Sequence, residues 1–495
     1  MWLCHFAHPP RGAADALVGL GAYMIDTWRD SARHILALAW PVLIGQLSVV
    51  AFATVDTMLV ARHSPLDLAA LAVGASAYVT VFIGLMGVVL AVGPIVGQLF
   101  GAGQLAQAGR QLHQAVWLAL GLSLLGSTLL LFPAPFLALA RLEPEVEAKV
   151  RHYLQAVAVG LPASLLFAAY RGFNTAVSRP KAVMVLQLGG LALKVPLSAL
   201  LIQGAPSFGI PALGVVGGGI ATAIAMWIQV VVAVWVMRRD GYYARFELGH
   251  GGLQAPDLRG LKTQLRLGVP MGMGILIEVS GFSLMAVFIA RLGTTAVAGH
   301  QIAVNLVSIL FMLPLALSSA ISTLVAQRVG ARDGLGARRL GWHGVQMGTA
   351  LAAMIGASVY FGREAIVGLY TRDAAVAAAA LPLLAWVAVF HTADALQSLS
   401  SFVLRGYRIA GVPMLIFAVS LWGVGLGGGY VVAFDVLGLT PPALRGAPGY
   451  WAASTCGLVL AGLTLLGFMA HTLARHAREG RSAAADLSSP LNTAG

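Results

Sequence analysis

The sequence predicts an all-α integral membrane protein of twelve transmembrane helices arranged as two homologous six-helix lobes. Three observations carry that expectation. Hydrophobic residues fill 58% of the 495 positions and charged residues only 10%, against roughly 25% charged in a soluble globular domain. Apolar runs long enough to cross a bilayer recur along the chain. The second half of the chain also repeats the first.

A helix needs about 20 apolar residues to span about 30 Å of hydrocarbon. Such runs lie near 35–60, 68–92, 112–131, 154–174, 182–202, 213–237, 267–290, 297–325, 343–361, 377–404, 412–434 and 450–472. Residues 1–34 form an N-terminal extension, expected to be cytoplasmic. They lack the basic start, apolar core and small-residue cleavage site of a signal peptide; residues 1–23 are poorly patterned, and MIDTWRDSARHILALAW makes a polar lead into the first span. The long polar stretch at 238–266 separates an N-terminal lobe (35–237) from a C-terminal lobe (267–472), and 473–495 form a tail. The 59 glycines and 22 prolines suit a membrane bundle, where they permit close helix contacts and kinks. Cys4 and Cys456 lie near opposite ends of the chain and build neither a disulfide framework nor a zinc site.

With both termini cytoplasmic, 22 of the 31 basic residues fall on the inner side, 8 on the outer side, and Lys194 lies within a span. That excess fixes the expected orientation by the positive-inside rule. The net charge of +12 then reads as topology and contact with anionic headgroups, with no nucleic acid partner.

At an offset of 229, Pro41 falls on Pro270, Ala61 and Arg62 on Ala290 and Arg291, Gln98 on Gln327, Gly101 on Gly330, and Arg110 on Arg339. Farther on the offset becomes about 234, and YRGFNTAVSRP (170–180) meets LRGYRIAGVP (404–413). Six spans return the chain to its starting face, so these are parallel repeats related by an axis along the membrane normal. Rocking of such lobes about a central site is a physical basis for alternating access.

Three acids stand inside spans: Asp56, Glu278 and Asp394. A buried carboxylate can belong to a hydrogen-bonded network that ties helices together, or it can load a proton or a small hard cation. Three acids against one clear mid-span cation, Lys194, favour the second use. The repeat does not reproduce them, because Asp56 aligns with Met285 and Glu278 with Val49. The lobes therefore carry different chemistry.

PVLIGQLSVVAFATVDTMLVAR, LAALAVGAS, AVGPIVGQLFGAG, RPKAVMVLQLGG, PMGMGILIEVSGF, AGHQIAVNLVSILFMLPLALSSAISTLVAQRVGA and DALQSLSSFVLRGYR together resemble the multidrug and toxic compound extrusion (MATE) transporters, NorM branch. The likeness runs from about residue 35 to 470. It implies a V-shaped inner-membrane antiporter, expected as a monomer and without a cofactor. Such a protein exports cationic amphipathic drugs and dyes against inward H+ or Na+. It also implies that Asp56, Glu278 and Asp394 correspond to the family's acids on the first, seventh and tenth helices, with Glu278 and Asp394 the candidate Na+ site. Gln301 and Asn305, four apart on one face, would add polar lining or hydrogen-bond between helices.

Two departures from the family are informative. Phe390 and His391 stand where the NorM branch commonly has a tyrosine and a glutamine. His391, three residues before Asp394, is placed either to relay protons or to pack as a hydrogen-bonding ring. Within GLALKVPLSALL (190–201), Lys194 and Ser198 occupy fifth-helix positions where the family commonly has side-chain oxygens, Asn or Asp, near the first-helix acid. An ionised lysine at mid-membrane costs roughly 2.5–3.5 kcal/mol on insertion scales. Lysine cannot coordinate Na+. Lys194 is therefore expected as the counter-ion of Asp56, with snorkelling to an interface as the alternative.

GVGLGGG (423–429) lies inside an apolar run with no strand before it, so it reads as helix packing or a break rather than a dinucleotide loop. HExxH, DDxxD and Walker motifs are absent from the chain. An intramembrane enzyme is a weak rival and no enzyme activity is expected. A flippase for lipid-linked oligosaccharides is the nearer rival, and would call for several basic residues in the cavity.

Overall fold

A computed structural model describes residues 27–140, 142–204, 209, 211–248 and 252–488. The expected extension at 1–23, including Cys4, lies outside the described residues. Twelve helices are long and apolar enough to cross a membrane: α1 Trp28–His63, α2 Pro65–Gly101, α3 Leu105–Leu131, α4 Pro144–Ala176, α5 Pro180–Gln203, α6 Gly214–Arg239, α7 Leu258–Ala290, α8 Thr294–Gly330, α9 Gly334–Tyr370, α10 Ala374–Gly406, α11 Gly411–Ala433 and α12, whose spanning part is Ala447–His476. Each expected span falls on one of them to within a residue. The helices overhang the apolar runs because hydropathy marks only the hydrocarbon, whereas caps set the ends. Thr27 and Asp30 close a capping box on α1, Ser64 caps α2 ahead of Pro65, and Asp257, Asp333 and Asp373 cap α7, α9 and α10.

The N-terminal lobe closes over a core that includes Val60, Leu71, Leu112, Leu154 and Phe173. The polar linker belongs to this lobe. Its 3-10 turn Gly241–Phe246 is stacked beneath α4, with the Arg179 and Arg245 guanidinium groups 3.9 and 3.8 Å from the centre of the Tyr242 ring. Tyr242 Oη donates to the Val177 carbonyl at 2.8 Å, and Arg179 is paired with Asp240.

The expected lobe boundary at residue 35 does not follow the packing. Ile35 and Ala39 of α1 lie in a core with Leu317, Ile321 and Leu399 of the C-terminal lobe, and Ser31 Oγ is 2.9 Å from His343 Nδ1. Reciprocally, the first turns of α7 rest on the N-terminal lobe, where Gln264 donates to the Gln111 carbonyl and a Cβ added at Gly272 would stand 2.6 Å from the Gly84 carbonyl oxygen. Each lobe thus holds the start of the other's first helix, and Pro41 and Pro270 interrupt those two helices at repeat-related places.

Contacts between lobes gather at the end of the bundle where α1 and α7 begin, termed the inner end. A Cβ at Gly101 would lie 1.9 Å from the Gln327 carbonyl oxygen, and one at Gly330 would lie 1.9 Å from that of Gln98. The two glycines and two glutamines are repeat partners, so the chain crosses itself symmetrically. Gln98 Nε2 donates to the Gly406 carbonyl at 2.8 Å and Gln327 Nε2 to that of Ala176 at 2.7 Å. Gly101→Val or Gly330→Val should keep the inner end from closing. The expected result is loss of efflux at normal expression, with a cysteine placed at Gln98 labelled faster by a membrane-impermeant reagent added on the inner side.

Candidate functional site

In the N-terminal lobe, Asp56 of α1 is buried and meets three donors. Lys194 Nζ of α5 lies 2.7 Å from Oδ2, Ser198 Oγ donates to Oδ1 at 3.0 Å, and Thr222 Oγ1 of α6 donates to Oδ2 at 3.4 Å. Lys194 is 2% exposed, so it does not snorkel. Its ammonium also donates to the Phe52 carbonyl at 3.3 Å and stands 4.7 Å from the centre of that ring. Lys194 and Ser198 reach one carboxylate because they are four apart on one helix face. Thr222 was not anticipated, since a threonine in an apolar helix usually bonds its own backbone, as this one also does to Gly218.

In the C-terminal lobe, Glu278 of α7 and Asp394 of α10 line one narrow cavity with Phe282, Met285, Phe390 and Ser454. Its water-accessible volume is about 30 Å³, room for a water or two and not for a drug. Gln397 Nε2 donates to Asp394 Oδ1 at 3.0 Å. One wall is α11, whose residues Ala418–Gly427 adopt π-helical geometry, contributing Leu421 and Gly425 to the lining. Helix insertions of this kind cluster at functional sites. The widened turn presents Trp422, whose Nε1 donates to the Ile277 carbonyl at 3.1 Å and to Ser280 Oγ at 3.2 Å, on either side of Glu278 in sequence.

His391 departs from expectation. Phe390 and Asp394 face the cavity, whereas His391 is fully buried and neither ring nitrogen has a hydrogen-bond partner among the described residues. Gln301 and Asn305 also stand apart from the acids. With Ser308 and Tyr370 they line an open pocket of about 390 Å³, where Tyr370 Oη donates to Asn305 Oδ1 at 2.8 Å.

Lys194 is not alone among buried cations. Arg405, expected in an inner loop, lies inside α10, is 8% exposed, sits 4.0 Å from the centre of the Phe402 ring and interacts electrostatically with Glu278. Its repeat partner Arg171 lies inside α4 with Nη2 3.2 Å from Met86 Sδ.

As a Na+ site the acid pair is thin. Among the described residues no three His, Cys, Asp or Glu side chains gather, while hard cations collect about six oxygens. Two carboxylates and the Gln397 amide oxygen form at most part of such a shell.

Twelve spans in two repeated bundles, each with buried acids, define a polytopic membrane transporter. The chain belongs to the MatE family, whose profile matches residues 41–200 and 270–431. A protein of Aromatoleum aromaticum called "Probable multidrug resistance protein NorM" is 40% identical over 88% of this chain and 93% of its own length. "Multidrug resistance protein PmpM" of Pseudomonas aeruginosa is 33% identical over 91% and 94%. Among solved structures, the eukaryotic MATE transporter AtDTX14 superposes with a TM-score of 0.81 at 19% identity, covering 92% of this chain and 99% of that one. The expected fold and family hold, and the protein is a multi-pass protein of the inner membrane.

Removing one partner of a buried ion pair typically costs about 3–5 kcal/mol because it strands the other charge. Lys194→Met should therefore lower the melting temperature in detergent sharply, and Lys194→Met combined with Asp56→Asn should recover most of the loss. Equal melting of the single and double variants would refute the pairing.

Proposed function

We propose that the protein is a multidrug efflux antiporter. It exports cationic amphipathic compounds in exchange for an inward cation loaded at Glu278 and Asp394. The observation that carries this reading is the convergence of two acids on a cavity large enough for a proton and its waters and too small for a drug. Its relatives' names supply the cargo class. With the termini cytoplasmic, as the basic residues direct, the lobes are closed toward the cytoplasm and the acids load from outside. The thin oxygen shell favours H+ over Na+.

A cationic drug and the coupling cation are stabilised by the same negative charge, so each weakens the other, and that mutual exclusion is what couples their movements. A potential of 100 mV adds roughly 2.3 kcal/mol for each charge that moves inward. Asp56 contributes little to this exchange because Lys194 already neutralises it. That commitment also weakens the flippase reading, which needs several free basic groups in one cavity: Lys194 is bound to Asp56, Arg405 lies within the field of Glu278, and Arg171, alone of the three, meets the Met86 sulfur rather than an acid.

Proteoliposomes with imposed H+ or Na+ gradients test the coupling. Asp394→Asn and Glu278→Gln should each slow gradient-driven efflux at least roughly tenfold, a barrier change of about 1.4 kcal/mol. Wild-type rates in both at equal protein density would sink the proposal. Ionised carboxylates attract the drug and protonated ones do not, so drug affinity should fall as pH is lowered in the wild type. Calorimetric titration across pH should find that dependence absent in the doubly substituted protein.

A further inference from the structure

A loaded cation must also leave, and the cavity around Glu278 and Asp394 offers no wide way inward. Along α10, however, polar side chains continue from Asp394 toward the inner end. Ser398, Ser401 and Arg405 follow Asp394 by four, seven and eleven residues, and eleven residues bring a helix to within about 20° of three whole turns. They share the face of Asp394, and Gln397 flanks it.

All four of Gln397, Ser398, Ser401 and Arg405 are buried. Ser398 Oγ lies 3.3 Å from Ser318 Oγ of α8. Gln397 Oε1 and Ser401 Oγ have no hydrogen-bond partner among the described residues, although Gln397 and Ser401 are each 1% exposed. Ser400 Oγ is orphaned too but lies on another face of α10, so it is the facing toward Asp394 that picks out the lane. Orphaned polar atoms in a low-dielectric interior are costly unless water reaches them, and a serine hydroxyl bridged by water can accept one proton while giving up another.

The repeat supplies a control. At the same register, α4 has Gly160, Ala163, Ser164, Leu166 and Phe167 where α10 has Asp394, Gln397, Ser398, Ser400 and Ser401, while Arg171 matches Arg405. Val89 stands where α8 has Ser318. Ser164 keeps a hydroxyl opposite Ser398, but it is bonded to the Gly160 carbonyl of its own helix. The amide of Gln397 and the hydroxyls of Ser318, Ser400 and Ser401 have only apolar counterparts in the lobe without the acid pair.

We propose that the coupling cation leaves as a proton along this lane, from Asp394 past Gln397, Ser398, Ser318 and Ser401 to the inner end of α10, without returning to the cleft between the lobes. The lane is about 16 Å long at 1.5 Å per residue. The proton passes between water and neutral hydroxyl groups, each of which gains one and loses one at the same oxygen. The Gln397 amide holds the water beside Asp394 by hydrogen bonds without being protonated, and the carboxylate is left ionised. A metal ion would find too few oxygens along the way, and the fixed charge of Arg405 keeps a cation from lodging at the inner end.

The inference rests on Glu278 and Asp394 being the coupling pair, and two separate measurements keep the ideas apart. Full-length protein is reconstituted with pyranine inside the vesicles, and acidification of the lumen is followed as preloaded ethidium leaves. Ser401→Val, and Ser398→Ala with Ser401→Ala should the valine not fold, are expected to slow acidification at least roughly tenfold. Ethidium affinity and its pH dependence should stay as in the wild type, and Ser401→Thr should restore the flux. Wild-type acidification in the double alanine variant overturns the lane, as does an equal slowing by Ser400→Ala on another face of α10, or a wild-type protein that moves Na+ and no protons. The acid-pair reading fails instead if Asp394→Asn, alone and with Glu278→Gln, keeps the wild-type pH dependence of ethidium binding.

Discussion

Hydrocarbon offers no water to an ionised group, so every charge kept inside the bilayer must be answered by the protein itself. The two lobes answer differently. The N-terminal lobe closes Asp56 inside a shell of donors from α5 and α6, led by Lys194, and so makes a permanent neutral unit. The C-terminal lobe leaves Glu278 and Asp394 beside a small cavity, with one amide donor to Asp394 and an arginine acting from a distance. On the proposed function, the pair that binds and releases a cation is the one left incompletely satisfied, and the shell around Asp56 is the structural one.

The same constraint shapes the backbone. Carbonyl groups at the inner end are shared between lobes through Gln98 and Gln327, and glycine allows the two chains to approach until a methyl group would not fit. These two repeat-related crossings stand beside apolar contact between the lobes, where Ala91 and Ile95 meet Leu267 and Met271.

The twelve spans, the repeat and the three acids could be read from the chain because hydropathy, periodicity and rare charges are local properties. The meeting of Lys194 with Asp56 could be argued because the resemblance sets the fifth helix beside the first. Of the two uses open to His391, its full burial without a hydrogen-bond partner among the described residues sides with packing, and which face it takes depends on neighbouring helices that sequence does not place. Arg405 was assigned to a loop because the expected span stops at residue 404, just before this charge, whereas the helix continues and buries it. Trp422 had no advance signal, since its reach toward α7 depends on an irregular turn whose glycines fit ordinary close packing equally well.

The exchange of helix starts between lobes bears on how the chain is made. When the first six spans have left the ribosome, Ile35 and Ala39 still lack the residues of α8 and α10 that cover them. During synthesis α1 can be held by Asp56 against α5 and α6, while its first turns wait for their cover from the second half. The start of α7, by contrast, meets partners already made, Gln111 and Gly84, so the two halves depend on each other unequally in time.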